Sequence, residues 1–95
     1  MSPKISARLA ALGIQLLADG RDYRLFAREG CVAFAHGDSP GSAGLMTDNG
    51  LAFLVWRGGQ PFLAAKGSEV PAAAEQVDAL RRFSEDLKEA LTSVQ

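Results

Sequence analysis

Residues 36–44 read HGDSPGSAG, and the GDSPG within them matches the Gly-x-Ser-x-Gly pattern that sets a nucleophilic serine on a sharp strand-to-helix turn. In that chemistry the residue after the serine lends its backbone N–H to the oxyanion hole. Here that residue is Pro40, which has no N–H to lend. The single histidine, His36, precedes Ser39, whereas hydrolase order places it afterwards, and the parallel sheet behind such an elbow needs far more than 95 residues. The match is expected to be accidental, and no catalytic residue is assigned. A phosphate cradle fares little better, because a Walker loop needs Gly-Lys-Ser/Thr opening a helix and no lysine lies between Lys4 and Lys66. Gly41 to Gly44 could still form a nest of backbone N–H groups for an anion. With no helix behind it, the Gly37–Gly44 stretch is read instead as a loose connection between two halves of a sheet.

Cys31 and His36 invite a thiol dyad. Five residues apart on one strand they would face opposite sides of a sheet, ~16 Å apart along it. One cysteine and one histidine also make no closed zinc site within a chain, so neither a metal nor a cofactor is expected. Arg24 and Arg28 share a strand face with Phe26, and two arginines around an aromatic ring suit a carboxylate or phosphate that carries a flat group. Arg24, Phe26 and Arg28, with Ser39 and Ser42 from the glycine loop, are therefore the candidate ligand-binding set. The simpler reading packs the arginine stems over Phe26 with the charged heads in water and Gln15 and Asp22 nearby as partners. Trp56 stands with Leu54, Pro61 and Leu63 on an apolar strand face, a composition like the centre of a subunit interface, or else a surface buried beneath the N-terminal helix.

The elements that hold these residues follow from punctuation and period. Ser2 caps and Pro3 opens a helix over about 3–12, with Ile5, Leu9 and Leu12 at helical spacing and Gly13 as its stop. Strand-like runs follow at about 14–18, 22–28, 31–36, 44–48, 51–57 and 61–66, separated by the turn pairs Asp19-Gly20, Glu29-Gly30, Asn49-Gly50 and Gly58-Gly59. Two-residue loops at the first two turns pair Leu16 with Tyr23, Ile14 with Leu25, Leu25 with Phe34 and Ala27 with Val32. Both registers place Ile14, Leu16, Tyr23, Leu25, Ala27, Val32 and Phe34 on one face, which is the expected core. The later hairpins put Leu51, Phe53, Val55, Phe62 and Ala64 on one face and Ala52, Leu54, Trp56, Pro61, Leu63 and Ala65 on the other. Neither is polar, so cover on both sides is expected there. A long amphipathic helix over about 71–92 closes the chain, with Val77, Leu80, Phe83, Leu87 and Leu91 at spacings of three and four and mixed charge on its solvated face.

The expected fold is therefore a single α+β domain: N-terminal helix, antiparallel meander of about five to six strands, long C-terminal helix. Of its residues 47% are hydrophobic and 22% charged, as in an ordinary globular domain. Ten Lys and Arg against eleven Asp and Glu leave a net charge of −1, without the cationic concentration that nucleic-acid binding demands. No intrachain disulfide can form from one cysteine, and no run is apolar enough for a membrane span or a signal sequence. A cytoplasmic location without membrane or nucleic-acid partners is expected. In so short a chain a second copy adds useful apolar burial, so the leading functional expectation is a non-enzymatic homodimer acting by protein association, with a small-ligand or anion-binding domain as the alternative.

Overall fold

The computed structural model describes residues 2–36 and 39–92 and, within them, every side chain except those at 39, 40 and 42. Helix α1 (Pro3–Ala11) begins where the Ser2 hydroxyl accepts a hydrogen bond from the Ile5 N–H at 3.2 Å, and ends at Leu12, after which Gly13 adopts φ +73°. That left-handed residue turns the chain back so that the Ile14 N–H reaches the Leu9 carbonyl at 2.9 Å. Seven strands follow: β1 (Gln15–Asp19), β2 (Arg24–Arg28), β3 (Cys31–His36), β4 (Ser39–Thr47), β5 (Gly50–Arg57), β6 (Gln60–Ala65) and β7 (Ser68–Pro71). They form one antiparallel sheet in the order β1-β2-β3-β4-β5-β6-β7, each strand beside its neighbour in sequence. Helix α2 (Ala74–Thr92) then crosses back over the sheet. The α+β architecture of helix, antiparallel meander and long helix is the expected one, with one strand more than the upper count.

The additional strand is β7, which follows a turn at Lys66-Gly67 with Gly67 at φ +68°. Pro71 reads in the sequence as a helix opener, but it ends this edge strand, where a missing N–H costs the ladder little. The helix starts three residues later, with the Gln76 side chain accepting from the Ala73 N–H at 2.8 Å. The turn at Glu29-Gly30 has both residues at positive φ, as does Gly58-Gly59, and the pairings Leu25↔Phe34, Ala27↔Val32 and Trp56↔Pro61 follow as expected. The β4–β5 turn lies one residue earlier than Asn49-Gly50: Thr47 pairs with Gly50 around Asp48 and Asn49.

Two expectations about the first half need correction. Between β1 and β2 the connection is longer than two residues, and Leu17 is an extra residue in β1, so Leu16 stands opposite Phe26 and Ala18 opposite Leu25. The loose segment expected at Gly37–Gly44 is largely strand, because β4 runs from Ser39 through Gly44 to Thr47. Residues 37 and 38 lie outside the described residues.

The core that the helices cover lies on one side of the sheet, and on the other side Val32 is buried as well, at 6% exposure. Phe26, Cys31, Ala33, Ala35, Ala52 and Leu63 face Leu80, Phe83, Leu87, Ala90 and Leu91 of α2, with Leu9 of α1 and Ile14 completing the cluster. This reverses the expected core face of the first half. Of the residues placed there, Ile14 is buried with the helices, but Leu25, Ala27, Val32 and Phe34 stand on the opposite side of the sheet. Pairing arithmetic decides which residues share a face and is silent on which face receives the helices. Side-chain size decides that here: Ala33, Ala35, Ala43 and Ala52 make a shallow surface onto which α2 settles closely, with Ala90 fully buried against it.

Candidate functional site

Directly opposed residues of an antiparallel pair point to the same side, so the side remote from the helices can be read off the ladder. One row across it runs Gln15, Ala27, Val32, Gly44, Phe53, Ala64, Glu69. A second, two residues along each strand, runs Ala18, Leu25, Phe34, then past β4 to Val55, Phe62, Pro71. Met46 and Leu51 add a short third row. Among the described residues neither helix covers these positions, and the core cluster contains none of them. Charge is confined to the border, where Arg57 and Glu69 form an ion pair.

Large side chains on this surface stay open to solvent: Phe34 is 38% exposed, Phe53 37% and Met46 63%. Tyr23 and Phe34 pack tilted at 59° with centroids 5.8 Å apart, an arrangement that holds both rings up from the sheet. Gly44 occupies the middle of the central strand. A Cβ there would stand 2.7 Å from the Ala52 carbonyl oxygen and 3.2 Å from Phe53 Cδ1, so Leu51 and Phe53 lean over the space that a side chain would fill.

On the helix side, Phe26 and the two arginines of the candidate ligand set are engaged within the fold. Phe26 is fully buried. Arg28 donates to the Leu12 carbonyl at 3.0 Å and to Asp86 Oδ2 at 2.8 Å, with its guanidinium 5.7 Å from the centre of the Phe83 ring. Arg24 donates to Asp19 Oδ1 at 3.1 Å. The partners are thus Asp19 and Asp86 rather than Gln15 and Asp22, and Arg28 pins both helices to β2. Ser39 and Ser42 lie on β4 as extended backbone, so the Gly41–Gly44 segment forms no anion nest, and their side chains lie outside the described residues. The signal for the arginine's role was its position: a strand-end arginine on the face toward the helix C-termini, where carbonyls need donors.

The proposed interface residues divide. Leu63 is buried, Leu54 packs against the core and Pro61 is half-buried, all on the helix side. Burial beneath a helix is therefore the outcome for Leu54 and Leu63, and the helix is α2, not the N-terminal one. Trp56 remains 59% exposed and walls a cleft of about 340 Å³ with Leu54, Val77, Leu80 and Arg81. A second cleft of about 340 Å³ lies on the other flank of α2 beside Arg28, Cys31 and Arg82. Burial pushes the Cys31 thiol above its usual range, against the opposing pull of the Arg28 charge. His36 lies exposed at the far end of the same strand with Nδ1 3.2 Å from the Asp22 carbonyl, so thiol and imidazole do not meet. Among the described residues no group of three His, Cys, Asp or Glu side chains could hold a metal ion, and no helix is long and apolar enough to cross a membrane. Comparison with protein-family models, with curated proteins and with solved structures finds no match for this chain.

Proposed function

We propose that this protein is a small non-enzymatic domain of the cytoplasm that acts by protein association, as a homodimer, through the open face of its sheet. The observation that carries the reading is the uncovered apolar surface made by Leu25, Phe34, Phe53, Val55 and Phe62, opposite a core that is already complete. Two rows ~6.8 Å apart across seven strands ~4.8 Å apart, with the two residues of the short third row, give a face on the order of 500 Å² in projection. Side-chain relief raises the accessible area above its projection, toward the roughly 800 Å² that each partner buries in a standard interface. With a net charge of −1, two copies repel one another little. A reducing compartment suits a chain whose one thiol is buried and unpaired.

The experiment is light scattering over a dilution series, on the wild type and on Phe62→Asp. The expected result is a mass near twice the 10.0 kDa of one chain for the wild type and a folded monomer for the variant. A wild type that stays monomeric throughout would overturn the proposal.

A further inference from the structure

The two principal rows of the open face are complementary to each other in size. Each of four strands contributes one member to each row, and in each strand one member is small and the other large. With the first-row member given first, the pairs are Ala27 and Leu25 on β2, Val32 and Phe34 on β3, Phe53 and Val55 on β5, and Ala64 and Phe62 on β6, so the large member changes row at β5. At the centre of the first row Leu51 and Phe53 lean over Gly44.

A dimer that joins two copies of one face has its two-fold axis in the plane between the sheets. Burial of apolar area is greatest when the centres of the two faces coincide, so the axis passes close to Gly44. An axis running across the strands, between the rows, lays each strand on its own copy in the reverse direction and exchanges the rows. Val32 then meets the partner copy of the Phe34 position, and Phe53 meets the partner copy of the Val55 position. An axis along β4 would instead lay β2 on β6, with Leu25 against the partner copy of the Phe62 position and Ala27 against that of the Ala64 position, large on large and small on small.

Resting on the homodimer reading above, we infer that the occupant of this face is a second copy of the chain in that antiparallel arrangement, sheet against sheet and helices outward, with the small member of each strand seated on the large member of the same strand in the other copy. The two sheets pack ~10 Å apart and within about 30° of alignment, the ordinary geometry of a β-sandwich.

The test is a swap on β5 read as the dimer dissociation constant by sedimentation. Phe53→Val sets valine against valine and opens a gap, and Val55→Phe sets ring against ring and overfills the site. Each is expected to weaken the dimer by about tenfold or more, since cavity and overpacking both cost at an interface centre. The double variant exchanges the two residues of β5 and restores the small-to-large match with the partner copy of that strand, and is expected to return to within about threefold of the wild type. The corresponding swap on β6, Phe62→Ala with Ala64→Phe, provides an independent cycle if a β5 variant fails to fold. Additive losses in a wild type that dimerises would overturn this arrangement and leave the homodimer standing. A wild type that stays monomeric would overturn both.

Discussion

Arg28 is the strongest tie between the sheet and its two helices, and replacing it by alanine removes three contacts in one step. The guanidinium holds the Leu12 carbonyl at the end of α1, the Asp86 carboxylate of α2 and the face of Phe83. Each hydrogen bond to a charged group contributes roughly 1.5–3 kcal/mol in a protected site, and a cation over a ring about 0.5–1 kcal/mol at an exposed one. The Asp86 side chain is 34% exposed, so water replaces part of what the arginine gave it. The contributions are not additive, and the expected net loss is about 2–3 kcal/mol. For a chain of this size that corresponds to a fall in the melting midpoint of roughly 10–20 °C. Urea unfolding followed by circular dichroism, at one protein concentration for all variants, measures it directly. Arg8→Ala, which breaks the exposed Arg8–Glu89 pair, is the control and is expected to cost under about 0.5 kcal/mol. An Arg28 loss no larger than that of the control would refute the claim that this side chain locks the layers together.

Three further outcomes follow from the geometry. Gly44→Ala drives a methyl group to within 2.7 Å of the Ala52 carbonyl, and is expected to destabilise by about 1–3 kcal/mol in the same unfolding assay. The raised pKa of Cys31 means that the folded state keeps its proton where the unfolded chain has lost it, so stability is full below the unfolded thiol's pKa near 9 and declines as pH rises from there toward the folded value. Cys31→Ala should flatten that alkaline decline in urea titrations, and the wild-type thiol should react slowly with a disulfide reagent until denaturant is added. Trp56 lies on the helix side, away from the proposed interface, so its emission and its quenching by acrylamide should not change as the protein is diluted through dissociation. A shift that tracks the change in mass would move the interface to the helix side.

Much of the architecture is legible in the chain because its turns carry their own chemistry. Glu29-Gly30 and Gly58-Gly59 supply the paired positive φ values of tight hairpins, and the partners of Phe34 and Trp56 follow from them by counting. Ser2, Pro3 and Gly13 likewise fix the limits of α1. What counting cannot reach is any insertion that leaves no residue signature, such as the extra Leu17 in β1, or a proline that serves a strand end as readily as a helix start, such as Pro71. The choice of core face is a different kind of loss. With apolar residues on both sides of the sheet, periodicity offers two answers of similar weight. The deciding quantity is the depth of each surface, and the alanines at 33, 35, 43 and 52 hold that information. Arg28 obscured it, because an arginine on a strand face reads as solvent until a helix end is seen to need a donor.

The order of the strands also says something about how the molecule comes together. Every ladder joins sequence neighbours, and most of the connections described are only two residues long, so the sheet zips up by successive local hairpins with little loop entropy to overcome. The contact between the helices is the distant one: Arg8 and Glu89 are 81 residues apart. With so long a loop to close it is expected to form after the meander, and until it does the sheet is bare on both sides. In that interval the alanine-rich surface and the aromatic surface compete for whatever apolar partner arrives. Docking of the two helices ends the competition, and so determines which side of the sheet is left open.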